Sequence, residues 1–156
     1  MEIFNKKSMK AMNTIILLLS FLITIGCQKE ISPIDYGKDQ CSHCKMTIVD
    51  KKYGAEIVTS KGKAYKFDAA ECLIGYLTQN NLAESELDKI LVTDLSQPEK
   101  LIDAATATFL ITPKLRSPMG ENISSFSDRK TAEKYRVDFG GDLYDWQSLK
   151  QFLSNR

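Results

Sequence analysis

The strongest constraint on this chain lies at its start, where three zones follow one another. Lys6, Lys7 and Lys10 are basic, Thr14 to Ile25 (TIILLLSFLITI) is almost unbroken apolar sequence, and Gly26 then places a small residue directly before Cys27. Basic, apolar and small-residue zones in that order are the layout of a secretory signal. The apolar run is about a dozen residues, short of the roughly 20 that a helix needs to span a bilayer. Removal of residues 1–26 leaves roughly 130, enough for one domain or for two small modules sharing a core. Folding then takes place in an oxidising compartment, which limits what the remaining cysteines can do.

The cysteine at the cut adds a second constraint. Thr24-Ile25-Gly26-Cys27 resembles the lipobox of bacterial lipoproteins, in which that thiol is diacylated and the new amino terminus acylated; Thr24 stands where Leu is commonest. The resemblance implies lipidation at Cys27. One acyl chain binds a membrane marginally, at about 0.8 kcal/mol per buried CH2, whereas two or more hold. A plain secreted protein and an amino-terminal anchor helix are the alternatives. Gln28 to Gln40 is polar, carries Pro33 and Gly37, and reads with Cys27 as a tether over 27–40 between lipid and fold. Lys29-Glu30 weakly resembles signals that send some lipoproteins to the outer cell surface. The expected location is the cell envelope, lipid-anchored outside the cytoplasm, on the periplasmic or surface face of the outer membrane.

Charge excludes one class of partner. Lys and Arg number 21 against 20 Asp and Glu, for a net charge of +1, and no basic block survives beyond the signal. Nucleic-acid binding is therefore not expected. The four cysteines fall to three once Cys27 is lipidated: Cys41, Cys44 and Cys72. An odd number cannot all pair internally, so at least one thiol is free, bridged between molecules or bound to metal.

From Cys41 onward the chain alternates short strands and short helices, an α+β pattern. Glu56 to Thr59 and Ala64 to Phe67 read as strands joined at Lys61-Gly62. A helix should follow Asp68, which can cap it, with Glu71 completing a capping box. Its apolar positions Ala69, Cys72, Leu73, Tyr76 and Leu77 fall on one stripe. Lys89 to Thr93 and Thr108 to Thr112 read as further strands, broken apart at Gln97-Pro98. Ser127 or Asp128 can cap a helix running through Ala132 and Tyr135. The block Gly62 to Phe67 ahead of a helix recurs as Gly141 to Trp146 ahead of Leu149, Phe152 and Leu153, and a methionine, Met46 or Met119, lies upstream of each. This predicts two related small β/α halves, about 41–95 and 104–156, each with short strands, a packed helix and one methionine.

The chemistry concentrates in Cys41-Ser42-His43-Cys44-Lys45-Met46, which holds two thiols, a thioether and the single histidine of the chain. Thiolate and thioether sulfur are soft donors that favour Cu(I), whereas Zn(II) usually takes four Cys or His ligands. If the halves face each other, Met119, set between Pro118 and Gly120, completes a low-coordination copper site. Each residue also has an ordinary reading. Cys41 and Cys44 can form a disulfide, or a thioredoxin-like redox pair, although that pair should open a helix and Met46 to Val49 looks extended. Met46 can fill a core gap, His43 can be a loop residue, and Cys72 on the apolar stripe can be a small buried hydrophobe. A structural zinc module using Cys41, His43, Cys44 and Cys72 is the competing metal reading; His43 lies beside Cys44, an awkward spacing for one tetrahedral ion. The chain shows no Ser-His-Asp set, paired-carboxylate signature or phosphate loop, so a carrier is expected, not an enzyme.

These residues carry a family resemblance. Cys41 to Met46, Tyr53-Gly54-Ala55-Glu56, Lys66-Phe67-Asp68, Cys72-Leu73, Pro118-Met119-Gly120, Phe126, Ala132 and Gly140-Gly141 resemble, in order, the NosL family of copper-binding accessory lipoproteins for nitrous oxide reductase. The resemblance runs from about Cys41 to Leu153. It implies Cu(I) binding, delivery toward the reductase or its maturation machinery, and a fold of two related α+β halves. By matching position it makes Cys44, Met46 and Met119 the expected metal-binding residues, with Cys41 or His43 assisting. Lys45 stands where the family commonly has Gly, so nothing at that position argues for a positive φ.

Overall fold

The computed structural model describes residues 31–155; the signal and lipidation readings, Cys27 included, fall outside them. Strands β1 (Ala55–Thr59) and β2 (Ala64–Phe67) form an antiparallel hairpin with Ala55 opposite Phe67. Helix α1 (Ala70–Gln79) then leads through a 3-10 turn (Glu84–Glu86) into β3 (Leu87–Thr93), which lies antiparallel on the other side of β1. Strands β2 and β3 therefore run parallel with β1 between them, a split βαβ arrangement. A short edge strand, β4 (Leu101–Asp103), completes the sheet in the order β2-β1-β3-β4.

The rest of the chain repeats that topology. Strands β5 (Thr108–Ile111) and β6 (Ile123–Phe126) form a hairpin, α2 (Arg129–Phe139) crosses over, and β7 (Asp142–Tyr144) pairs on the far side of β5. The order β6-β5-β7 matches β2-β1-β3. Helix α3 (Trp146–Ser154) follows as an addition to the second half. Mixed α+β architecture in two related halves is thus what the chain adopts. The repeat joins different segments from those the sequence pattern paired, however. Hairpin and helix β2–α1 correspond to β6–α2, not to β7–α3. Met46 precedes β1 whereas Met119 lies in the β5–β6 loop, so the two methionines are not topological equivalents.

The helix periodicity holds better than the capping. The stripe of α1 is buried at Ala70, Glu71, Cys72, Leu73, Ile74 and Leu77. Its N-cap is Ala69, with no side-chain cap, because Asp68 is buried one position earlier and Glu71 turns to another partner. Asp128 does cap α2, accepting from the Thr131 amide at 2.8 Å. Strands β4 and β6 have no counterpart in the sequence reading. The first has three residues, and the second, Ile-Ser-Ser-Phe, buries two serines where apolar residues would signal a strand. Gly140 and Gly141, at φ 73° and 97°, turn α2 into β7. A Cβ on Gly141 would stand 2.1 Å from the Ile111 carbonyl oxygen, so only glycine lets the chain pass that close.

Two apolar clusters hold the halves together. Cys41, Ile57, Phe67, Leu73 and Val92 of the first half share a cluster with Phe109, Ile123, Trp146 and Leu149 of the second. On the opposite face of β5, Leu110 joins Phe126 and Ala132 with Tyr53, Ala69 and Leu95. The alternation of Phe109 and Leu110 is the period-two pleat of a strand covered on both sides. Fully burying each such side chain contributes roughly 1.5–3 kcal/mol. Where β3 ends, the Leu95 amide donates to the Ser125 carbonyl at 2.8 Å and the Ser127 amide to Asp94 Oδ2 at 3.1 Å, joining the end of β3 to β6 of the second sheet.

Order also begins earlier than the polar tether reading placed it. Ile34 and Tyr36 pack against the core, the Gly37 amide donates to the Ile48 carbonyl, and Lys66 Nζ reaches both the Pro33 carbonyl at 2.8 Å and Asp39 Oδ2 at 2.7 Å. Polar composition concealed two apolar anchors spaced by two residues. Among the described residues, no helix is long and apolar enough to cross a membrane.

Candidate metal centre

The loop from Cys41 to Met46 is closed by its own backbone. The Cys41 amide donates to the Met46 carbonyl at 2.8 Å, the Lys45 amide to the Cys41 carbonyl at 3.0 Å, and Gln40 and Thr47 form an isolated antiparallel bridge. Lys45 takes φ 67°, the left-handed conformation that glycine adopts freely. The missing glycine thus gave the wrong impression of the turn: it has positive φ regardless, and Lys45 Nζ caps the Ser42 carbonyl at 2.7 Å. The Ser42 amide bonds the Lys66 carbonyl at 2.8 Å, which docks the loop onto β2.

This geometry turns Cys41 fully inward and leaves Cys44 half-buried. Cys72 arrives from the buried stripe of α1, one turn below Gly75. The three sulfur atoms lie within 4.8 Å of one another, and none of the three thiols is bridged. Its place on the apolar stripe allows Cys72 to be only a small buried hydrophobe; the structure makes it both a buried stripe residue and a member of the cluster. The odd count of thiols was the available signal. The loop opens no helix, so the thioredoxin-like arrangement is absent at this CxxC pair.

Protons are distributed unevenly over the cluster. A hydrogen bond from the Cys72 thiol, opposed by burial and reinforced by the backbone amides of Asp68, Cys44 and His43, pulls Cys41 down to about 4. Cys41 is therefore the most acidic of the three thiols. Donating that bond to Cys41, with burial, pushes Cys72 strongly upward, and burial raises Cys44. Asp68 is also raised, by burial and then by the charge on Cys41, and its Oδ1 is buried without a partner. One acidic thiol beside two that hold their protons more tightly suits a soft cation whose arrival displaces protons from sulfur.

The other candidates have different surroundings. His43 does not belong to the thiol group. Its ring lies against α1, where a Cβ on Gly75 would stand 2.9 Å from Nε2, and its buried Nδ1 has no hydrogen-bond partner. Met46 and Met119 are 47% and 40% exposed, among the few large apolar side chains left at the surface, so neither is a core filler. The Met119 loop is fastened to the cluster's helix: Ser117 Oγ donates to Glu71 Oε1, and Glu71 immediately precedes Cys72. Sequence reading missed this contact, since a serine in a loop and a glutamate in a helix carry no pairing signal. A groove of about 800 Å³ runs between α1 and α3, flanked by Glu71, Gly75 and Lys150, but no cysteine lines it. A single ion needs no cavity of that kind.

Comparison with known proteins identifies the family. The NosL family model matches residues 34–153. The chain is 27% identical over 152 residues to the copper-binding lipoprotein NosL of Stutzerimonas stutzeri, covering 87% of this chain and 78% of that one. The crystal structure of the copper chaperone NosL from Shewanella denitrificans superposes with a TM-score of 0.66 at 27% identity, over 77% of this chain and 95% of that one. With the family model spanning nearly all of the folded part, from the Ile34 anchor to the end of α3, the chain belongs to the NosL family.

Proposed function

We propose that this protein is an exported, membrane-anchored metallochaperone that binds Cu(I) and delivers it for the maturation of nitrous oxide reductase. The observation that carries the proposal is the convergence of three sulfur atoms within 4.8 Å, from a loop and a helix far apart in sequence. Soft, closely spaced sulfur favours Cu(I) over harder divalent ions. The names of the relatives, a copper-binding lipoprotein and a copper chaperone, point the same way.

In this reading Cys44 is the pivot. It is half-buried where Cys41 and Cys72 are buried, Met46 follows it by two residues in the chain, and Met119 is supplied by the second half. Cys41 shares the ion from within, and His43 assists from the face of α1. Thioethers bind metal as neutral groups without losing a proton, so Met46 and Met119 can take up and release Cu(I) at any physiological pH. A site with exposed thioethers leaves a partner's ligand room to enter, and copper passes by ligand exchange without release to water. Lipid on Cys27 would keep the carrier at the membrane where its client matures. The protein supplies no reaction of its own; it is a carrier, not an enzyme.

The test is an anaerobic titration of the reduced protein against a chromophoric Cu(I) chelator, followed by mixing with copper-free nitrous oxide reductase and its maturation proteins. Binding of one Cu(I) and its transfer are expected. Retention of Zn(II) in preference to Cu(I), with unfolding on chelation, would instead support the structural zinc module.

A further inference from the structure

The loop between β5 and β6 spans residues 112–122 and has no regular structure, so nothing in its own hydrogen bonding decides where Met119 sits relative to the thiols. Its base is held by the Thr112 amide on the Asn122 carbonyl at 3.3 Å and by Thr112 Oγ1 on the Phe139 carbonyl at 3.0 Å. Its tip is the turn Ser117-Pro118-Met119-Gly120, closed by the Gly120 amide on the Ser117 carbonyl at 3.2 Å. Between base and tip, Ser117 makes a buried side-chain tie to the first half. Ser117 Oγ donates to Glu71 Oε1 and accepts from the Asn122 amide at 2.8 Å. Ser117 is 7% exposed and Glu71 9%, so the tie is made away from water.

We propose that Glu71 is a positioning residue: through Ser117 it latches the Met119 turn onto α1 and so sets that thioether against the thiol cluster. The latch lies one residue from Cys72 on the helix and two residues from Met119 on the loop. It links the chain that carries Met119 to the helix that carries Cys72. An apolar residue would serve the buried face of α1 better, because Glu71 Oε2 is buried with no partner. Only a hydrogen-bonding side chain at that place can hold the loop. An outer partner that orients a donor commonly accounts for about 10–100-fold in metal affinity.

This inference rests on the reading of Met119 as a copper ligand, and a double-mutant design separates the two. Cu(I) affinity is measured by anaerobic chelator competition for the full chain, for Ser117→Ala, Glu71→Ala and Glu71→Gln, each with and without Met119→Leu. The expected result is that Met119→Leu weakens binding about tenfold in the native background, at the low end of that range. Ser117→Ala and Glu71→Ala should give a similar loss, and adding Met119→Leu to either should cost nothing more. Glu71→Gln keeps an oxygen that accepts from Ser117 and should restore most of the affinity. X-ray absorption should show one sulfur fewer around copper in Ser117→Ala, as in Met119→Leu; a merely structural role would lower the unfolding midpoint and leave the sulfur count alone. If Met119→Leu costs as much in the Ser117→Ala protein as in the native one, the latch is overturned while the ligand stands. If it costs nothing in the native protein, the ligand reading falls and takes the latch with it.

Discussion

The turn from β2 into α1 and the turn from β6 into α2 occupy the same place in the two halves, yet they are built for different purposes. Counted from Phe67 and Phe126, both fully buried, Asp68 corresponds to Ser127, Ala69 to Asp128, Glu71 to Lys130 and Cys72 to Thr131. In the second half the turn is exposed and solves the ordinary problem of a helix start: Asp128 accepts from the Thr131 amide. In the first half the same turn is buried against the other half, its helix has no side-chain cap, and its acids face inward. Ala69 packs with Leu110 and Phe126, Asp68 donates its amide to the Cys41 sulfur, and Glu71 holds Ser117. One copy of the topology keeps the stabilising device. The other gives it up and gains a thiol cluster, which is where a structure departs from local rules when a site is being built.

The largest test of that contrast is at the sulfur atoms themselves. Cys44→Ser and Cys72→Ser should each weaken Cu(I) binding by at least about 100-fold, the upper end of what even an outer partner contributes to a metal site. Thr131→Ser, at the matching place in the second half, should leave it unchanged. Chelator competition on the reduced proteins measures all three. Equal losses would erase the distinction between the halves.

The next largest effect comes from transplanting the cap. If the two turns were interchangeable, Ala69→Asp would stabilise α1 as Asp128 stabilises α2. Ala69 is fully buried among apolar side chains, so the new carboxyl should instead destabilise the protein by about 2 kcal/mol or more. Asp128→Ala should lower the thermal midpoint by only a few degrees. Denaturant unfolding of the pair decides between these outcomes.

Much of this architecture was legible in the residues. Period-two runs gave β1, β2, β3 and β5, and the apolar stripe gave α1, because both signals depend on one face being buried. Two members of the sulfur cluster, Cys41 and Cys44, were legible as donors from their spacing. Their convergence with Cys72 was not, since burial on a stripe and membership of a site look alike in one sequence. The repeat was visible but out of register: Gly and Tyr recur by composition at β7–α3, whereas the true counterpart of β2–α1 carries Ser124 and Ser125 in a buried strand. Lys45 concealed a positive φ that its loop hydrogen bonds impose.

A third prediction concerns pH. Burial raises Glu56, Asp68 and Glu71, all in the first half, whereas the capping acids Asp128 and Asp145 of the second are lowered by the backbone amides they accept. A raised carboxyl binds more protons folded than unfolded between its ordinary value and its folded one. Its contribution is therefore complete at low pH and is lost as pH rises through the folded value. For Glu56, fully buried with Oε2 unpartnered, the window opens at the ordinary glutamate value of 4.5 and extends upward. Glu56→Gln should raise the midpoint at pH 7 by a few degrees, with the gain shrinking as pH falls toward 4.5. Thermal unfolding across that range checks the sign. The smallest effect should be Lys45→Gly, which relieves a left-handed lysine at a cost in unfolded-chain entropy, for a net gain below about 1 kcal/mol.

Sulfur from both halves closing on one cuprous ion is the central claim, and X-ray absorption at the copper edge tests it most directly. Reduced protein loaded with one equivalent of Cu(I) should show a shell dominated by sulfur, with one scatterer lost in Met119→Leu and another in Cys72→Ser. A shell of nitrogen and oxygen, or one indifferent to both substitutions, would contradict the account.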